Sequence, residues 1–95
     1  MEPIVITVCI EPSAQLPGQF LAFSNYELMA QGGGYYNCQR SFESVVRDFL
    51  THCPSSELPL PGYFSVQGFF LEDTVERQYK GLPPLVFKYY HRVQN

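Results

Sequence analysis

Apolar residues recur along this chain with two different periods. Residues 4–10 read IVITVCI, apolar on both faces of an extended chain and rich in β-branched side chains. Such side chains are stiff at χ1 and fit a pleated surface, and a run apolar on both faces predicts a central or doubly covered strand. Glu11-Pro12 ends it and Leu16-Pro17-Gly18 makes a turn. A second strand over residues 19–24 completes an antiparallel hairpin with a long loop. The period changes in residues 41–53, where Phe42, Val45, Val46, Phe49, Leu50 and Cys53 form one stripe of a 3.6-residue helix. Ser41 is placed to cap this helix, Glu43 to meet its dipole in the first turn, and Pro54 to stop it. Glu43, Arg47, Asp48 and Thr51 are expected to point outward.

The remaining stretches are less regular. Residues 25–40 contain Tyr26, Leu28, Met29, a Gly32-Gly33-Gly34 tip and the β-prone Tyr35-Tyr36, and read as a second hairpin or an irregular loop. Residues 54–62 are a Pro-rich, extended connection. Residues 63–71 read as a strand in which Gly68 marks a bulge or a close backbone approach. One or two helical turns closed by Gly81 are expected over residues 72–81. Residues 85–93 are β-branched and aromatic, with Leu85, Phe87, Tyr89, His91 and Val93 on one face and Val86, Lys88, Tyr90 and Arg92 on the other. The echo between residues 12–20 and 54–64 fits an ancient duplication, but fits better the use of Pro-Gly before an aromatic, a common way to enter a strand. The sum is one α+β domain over residues 1–95: an antiparallel sheet of four or five strands with one main amphipathic helix, about 41–53, packed on one face.

Composition narrows the class. With 45% hydrophobic and only 16% charged residues, the chain is too apolar for disorder. Its 16% aromatic content is high enough to leave some rings on the surface. The net charge of −3 disfavours bulk attraction to nucleic acid. The charge is unevenly spread: residues 1–75 hold eight acids against two bases, and residues 76–95 hold one acid against four bases. Three cysteines without CxxC spacing predict reduced thiols and a cytoplasmic protein rather than a disulfide framework. The opening MEPIVITVCIEP does not read as a secretory signal, and no segment approaches the ~18 apolar residues of a membrane span.

Catalytic patterns are weak. Asp48 and His52 share a helix face, but Cys53 lies on the core stripe, away from that base. Cys9, Cys38, Cys53, His52 and His91 lack zinc-ligand spacing. The glycine triplet is followed by Tyr-Tyr-Asn-Cys instead of the Lys-Ser/Thr of a phosphate loop. Glu72 and Asp73 are adjacent, so a strand would point them to opposite faces. No enzymatic activity, cofactor or metal is therefore expected.

Two surfaces could bind. The first is the C-terminal segment, where Lys88, Tyr90 and Arg92 share a face and Arg77 and Lys80 precede them. Tyr and Arg are preferred anchors of protein interfaces, and alternating bases and aromatics also suit nucleic acid. The second surrounds the glycine tip, with Tyr26, Met29, Tyr35 and Tyr36.

The first half, with Ile10-Glu11-Pro12 in its first strand, Gln31-Gly32 near the third and the helix from Ser41 to Leu50, resembles HicB-type antitoxin domains. The resemblance covers about half the chain and implies a β-β-β-α-β unit. Leu16-Pro17-Gly18 precedes the second strand here, whereas the family's Leu-Pro-Gly follows it, and no DNA-binding tail follows Tyr63. The expected function is that of a small non-enzymatic interaction protein that binds and inhibits or neutralises a protein partner, of the antitoxin or mobile-element inhibitor kind. The alternative is a nucleic-acid-binding module using the C-terminal strand. No membrane partner is expected, and homodimers could form through an exposed edge at residues 85–93.

Overall fold

A computed structural model describes residues 2–24, 33–52 and 65–92. The elements run β1 (Ile4–Pro12), β2 (Phe20–Ser24), β3 (Gly33–Tyr36), α1 (Gln39–His52), β4 (Phe69–Arg77) and β5 (Leu85–Arg92). The five strands form one sheet in the order β3-β2-β1-β5-β4. β1 is the central strand, as its two apolar faces require. Three of the four pairings are antiparallel; β1 and β5 run parallel, with Ile6 beside Phe87 and Val8 beside Tyr89. The α+β class with one helix on a mostly antiparallel sheet is thus as expected, with one parallel pair at its centre.

Local chemistry explains the turns. Leu16-Pro17-Gly18-Gln19 closes with a Gln19 N–H to Leu16 carbonyl bond of 3.0 Å, and Gly18 takes φ 81°. Proline second and a positive-φ glycine third are what this turn demands. The same logic governs Gly81, whose φ of 84° closes a turn from Tyr79 to Leu82 where helical turns were expected.

The core lies between the helix and one sheet face. Ile6, Val8, Ile10, Ala22, Leu85, Phe87 and Tyr89 supply the sheet side, and Phe42, Val46 and Leu50 the helix side. An aromatic series threads it. Phe20 meets Tyr36 at 6.2 Å between centroids, Tyr36 meets Phe42 edge-on at 5.3 Å, Phe42 meets Phe87 edge-on at 6.1 Å, and Phe87 stacks with Tyr89 at 6.2 Å. Edge-to-face and offset contacts of this kind add to the burial of large rings.

Several expectations are corrected. The helix begins at Gln39, two residues before Ser41. The Cys38 carbonyl accepts the Ser41 and Phe42 N–H groups, so Ser41 lies inside the first turn instead of capping it. The buried helix face comprises Phe42, Glu43, Val46 and Leu50, while Val45 and Phe49 are more than one-third exposed. At 3.6 residues per turn this rotates the buried stripe by roughly 40° toward Glu43. Residues 69–77 form one continuous strand, which replaces the helical turns expected after residue 71; its bulge lies between Leu71 and Asp73, and Gly68 sits in the preceding turn. β5 is flanked on both sides, by β1 and β4, so residues 85–92 do not offer the edge on which self-pairing was expected. Tyr26, Met29, Cys53, Val93, the start of the expected strand at residues 63–64 and the second half of the echo lie outside the described residues.

Candidate functional site

Strand register decides which side chains meet on the sheet face opposite the helix. Phe23 pairs with Cys9, Cys9 with Tyr90, and Tyr90 with Leu71. Side chains alternate along a strand, so these four residues form one row across β2, β1, β5 and β4. A second row runs Tyr35, Leu21, Glu11, Arg92 and Phe69, fixed by the pairs Leu21–Tyr35, Glu11–Leu21 and Phe69–Arg92 and by the ion pair of Arg92 with Glu11. Behind them lie Thr7 beside Lys88 and Val5 beside Val86.

This face is apolar and accessible. Phe23 is 36% exposed, Val5 40%, Leu71 48% and Tyr35 51%. Scattered exposed hydrophobics are ordinary; here four of them share one face of a single sheet, Phe23 and Leu71 at the two ends of one row. Polar groups punctuate it in a defined way. Arg92 Nε donates to Glu11 Oε1 at 2.7 Å, and its guanidinium lies 5.1 Å from the Phe69 ring centroid. Cys9 is enclosed by its neighbours, and burial, followed by the Glu11 charge, pushes its thiol up to about 11. A cleft of about 230 Å³ opens at one end, lined by Glu11, Pro12, Leu21 and Tyr35 among others. Small-molecule pockets usually span about 300–1,000 Å³, so this notch fits a single side chain better than a cofactor. The loop beside it is held by Ser13, whose Oγ accepts the Leu16 N–H at 2.9 Å and whose N–H donates to the Gln19 carbonyl at 3.0 Å.

Of the residues expected to bind, the fold brings Tyr35, Lys88, Tyr90 and Arg92 to this face. Lys80 is exposed in the turn between β4 and β5. Tyr36 is a correction: it points to the helix side, is buried against Phe42, and has its phenol pKa raised by burial. Arg77 is another. It also points to the helix side, where Nε donates to Glu43 Oε1 at 2.7 Å.

Glu43 itself was expected outside and is instead only 1% exposed. Its second oxygen accepts the Tyr89 hydroxyl at 2.6 Å. Burial, then the bond to Glu43, hold Tyr89 neutral well above the ordinary phenol range, and the same carboxylate raises the Arg77 pKa. Every buried side-chain nitrogen and oxygen of the described residues has a partner, which makes this group a satisfied structural network. The sequence held a partial signal: Glu43, Val46 and Leu50 share a helical spacing, but a carboxylate in that pattern reads as outward unless its arginine is known.

The Asp48–His52 pair does not form a carboxylate–imidazole dyad. Asp48 Oδ1 receives Arg47 at 3.1 Å, and His52 Nδ1 lies 2.7 Å from the Asp48 backbone carbonyl. Cys38 is exposed at the start of α1, and its bond with the Ser41 hydroxyl, at 3.3 Å, is the main cause of a lowered thiol pKa. No helix of the described residues is long and apolar enough to cross a membrane.

Comparison with protein-family models, with curated proteins and with solved structures finds no match for this chain.

Proposed function

We propose that this chain is a non-enzymatic interaction domain that binds a protein partner through the sheet face opposite α1, occupying and so inhibiting that partner. One observation carries the reading: Phe23, Cys9, Tyr90 and Leu71 form one lateral row on the face opposite α1, with Phe23 and Leu71 exposed, Tyr90 half-buried, and exposed Tyr35 and Val5 on the same face. Aromatic side chains with a nearby arginine are the usual composition of an interface centre. Two of the four C-terminal bases are already engaged by carboxylates, Arg77 by Glu43 and Arg92 by Glu11. That weakens the nucleic-acid reading, because phosphate binding draws on free cations.

The test is capture of partners by wild type and by a Phe23→Glu/Leu71→Glu variant, with circular dichroism to check the fold. The variant is expected to keep its fold and lose the captured protein. Equal capture by both, or a captured nucleic acid whose retention falls steeply between low and moderate salt, would overturn the reading.

A further inference from the structure

The second open feature is the sheet edge formed by β4. This strand ends the order β3-β2-β1-β5-β4, so one of its sides meets β5 and the other has no strand beside it among the described residues. Phe70, Leu71, Glu72, Asp73, Thr74 and Glu76 are all exposed. After the bulge, Asp73–Arg77 pairs regularly with Tyr89–Leu85, which leaves five residues of even, extended backbone along the outer edge. A row of unpaired N–H and C=O groups in that geometry is a template for a further strand.

Charge selects what can add. Asp73 and Glu76 give the edge two carboxylates, while Glu72 lies 2.8 Å from His91 Nε2 and the one base of the strand, Arg77, is turned inward onto Glu43. Asp73 falls on the helix side and Glu76 on the open side, so both faces of an added strand meet an acid. A second copy pairing antiparallel over Asp73–Arg77 would set Asp73 opposite Arg77 and Glu76 opposite Thr74; Arg77 is already held by Glu43, so neither acid would gain a free base. β3, the opposite edge, reads Gly-Gly-Tyr-Tyr and carries no base to offer. A nucleic-acid strand is repelled by the same carboxylates.

We propose that the β4 edge binds an extended, basic peptide segment of a partner by strand addition along Asp73–Arg77. Backbone hydrogen bonds supply the geometry, and lysine or arginine opposite Asp73 and Glu76 supplies the selectivity. This edge borders the sheet face opposite α1, and the inference stands without the reading given for that face.

The probe is a capped nonapeptide of valine and threonine with two lysines three residues apart, so that one lysine falls on each face, with a glutamate-for-lysine peptide as its counterpart. Amide exchange and chemical-shift mapping on the full chain are expected to show protection at residues 73–77 on addition of the basic peptide. A D73K/E76K variant is expected to lose at least about tenfold in affinity for the basic peptide and to gain affinity for the acidic one. Methylating alternate peptide nitrogens on the pairing side should abolish binding, since it removes the donors and leaves the charge. Phe23→Glu should leave the affinity unchanged, which separates this edge from the open face. Absence of binding, equal affinity for the D73K/E76K variant, or shifts centred on Phe23 and Tyr90 would each overturn the proposal.

Discussion

The two faces of this sheet come from the same strands and carry similar side chains, yet only one became a core. On the helix side, Val8, Leu85, Phe87 and Tyr89 have no exposed surface. On the other side, Val5, Phe23, Tyr35 and Leu71 keep a third to a half of theirs. The chain supplies one amphipathic helix to the described fold, and one helix covers one face. What differs is coverage, and hydrophobic stabilisation scales with the area removed from water, about 25 cal/mol per Å². The same kind of residue therefore holds the fold together on one face and remains available to a partner on the other.

That contrast is open to direct measurement by urea unfolding. Phe87→Ala is expected to cost about 3–5 kcal/mol, because it empties a site enclosed by Phe42 and Tyr89. Phe23→Ala, the same change on the open face, should cost less than about 1 kcal/mol. Equal losses would mean that the open face is covered in the isolated protein.

A smaller effect is expected where the helix meets β4 and β5. Glu43→Leu strands the Tyr89 hydroxyl and releases Arg77, which is 26% exposed and can reach water. The expected loss is about 2–3 kcal/mol, below that of a fully enclosed ion pair. Adding Tyr89→Phe to Glu43→Leu should recover part of it. No recovery would mean that Glu43 acts through shape rather than through its hydrogen bonds.

Cys9 distinguishes the faces by pH. Its thiol is raised from 9.0 to about 11 in the folded state, so the folded chain holds a proton that the unfolded chain releases. Stability from this group is complete below pH 9 and is lost as pH rises toward 11, by about 2 kcal/mol. Tyr89 adds a loss of the same sign above its ordinary pKa of 10.0. Unfolding at pH 8 and pH 11 should show a larger fall for wild type than for Cys9→Ala; equal falls would place the Cys9 thiol in water.

The smallest effect belongs to the other free thiol among the described residues. Cys38, with its pKa lowered by the Ser41 hydroxyl, should alkylate with a midpoint below 9.0. Ser41→Ala should move that midpoint up with little change in stability. An unmoved midpoint would assign the shift to the backbone at the start of α1.

Much of this fold was legible in the pattern of residues. Ile4–Ile10 is apolar on both faces and became the central strand; Pro17-Gly18 became a turn with positive φ; Leu85, Phe87 and Tyr89 alternate and entered the core together. These outcomes depend on near neighbours in the chain, and periodicity reports them. Residues 72–77 were misread because Glu, Asp and Thr suit a helix start as well as an exposed edge, and only pairing with β5 decides between them.

The site divides the same way. Tyr90 and Arg92 could be placed on a common face from their spacing alone. That Phe23 and Leu71 join Tyr90 depends on β1 and β5 running parallel, a long-range pairing no local pattern encodes. The sequence by itself determined which side chains share a strand face and where the chain turns. The tertiary structure decided which face the helix covers, which strand is an edge, and that Glu43 is buried. Its carboxylate is costly to enclose alone and becomes tolerable only when Arg77 and Tyr89, 34 and 46 residues away, converge on it.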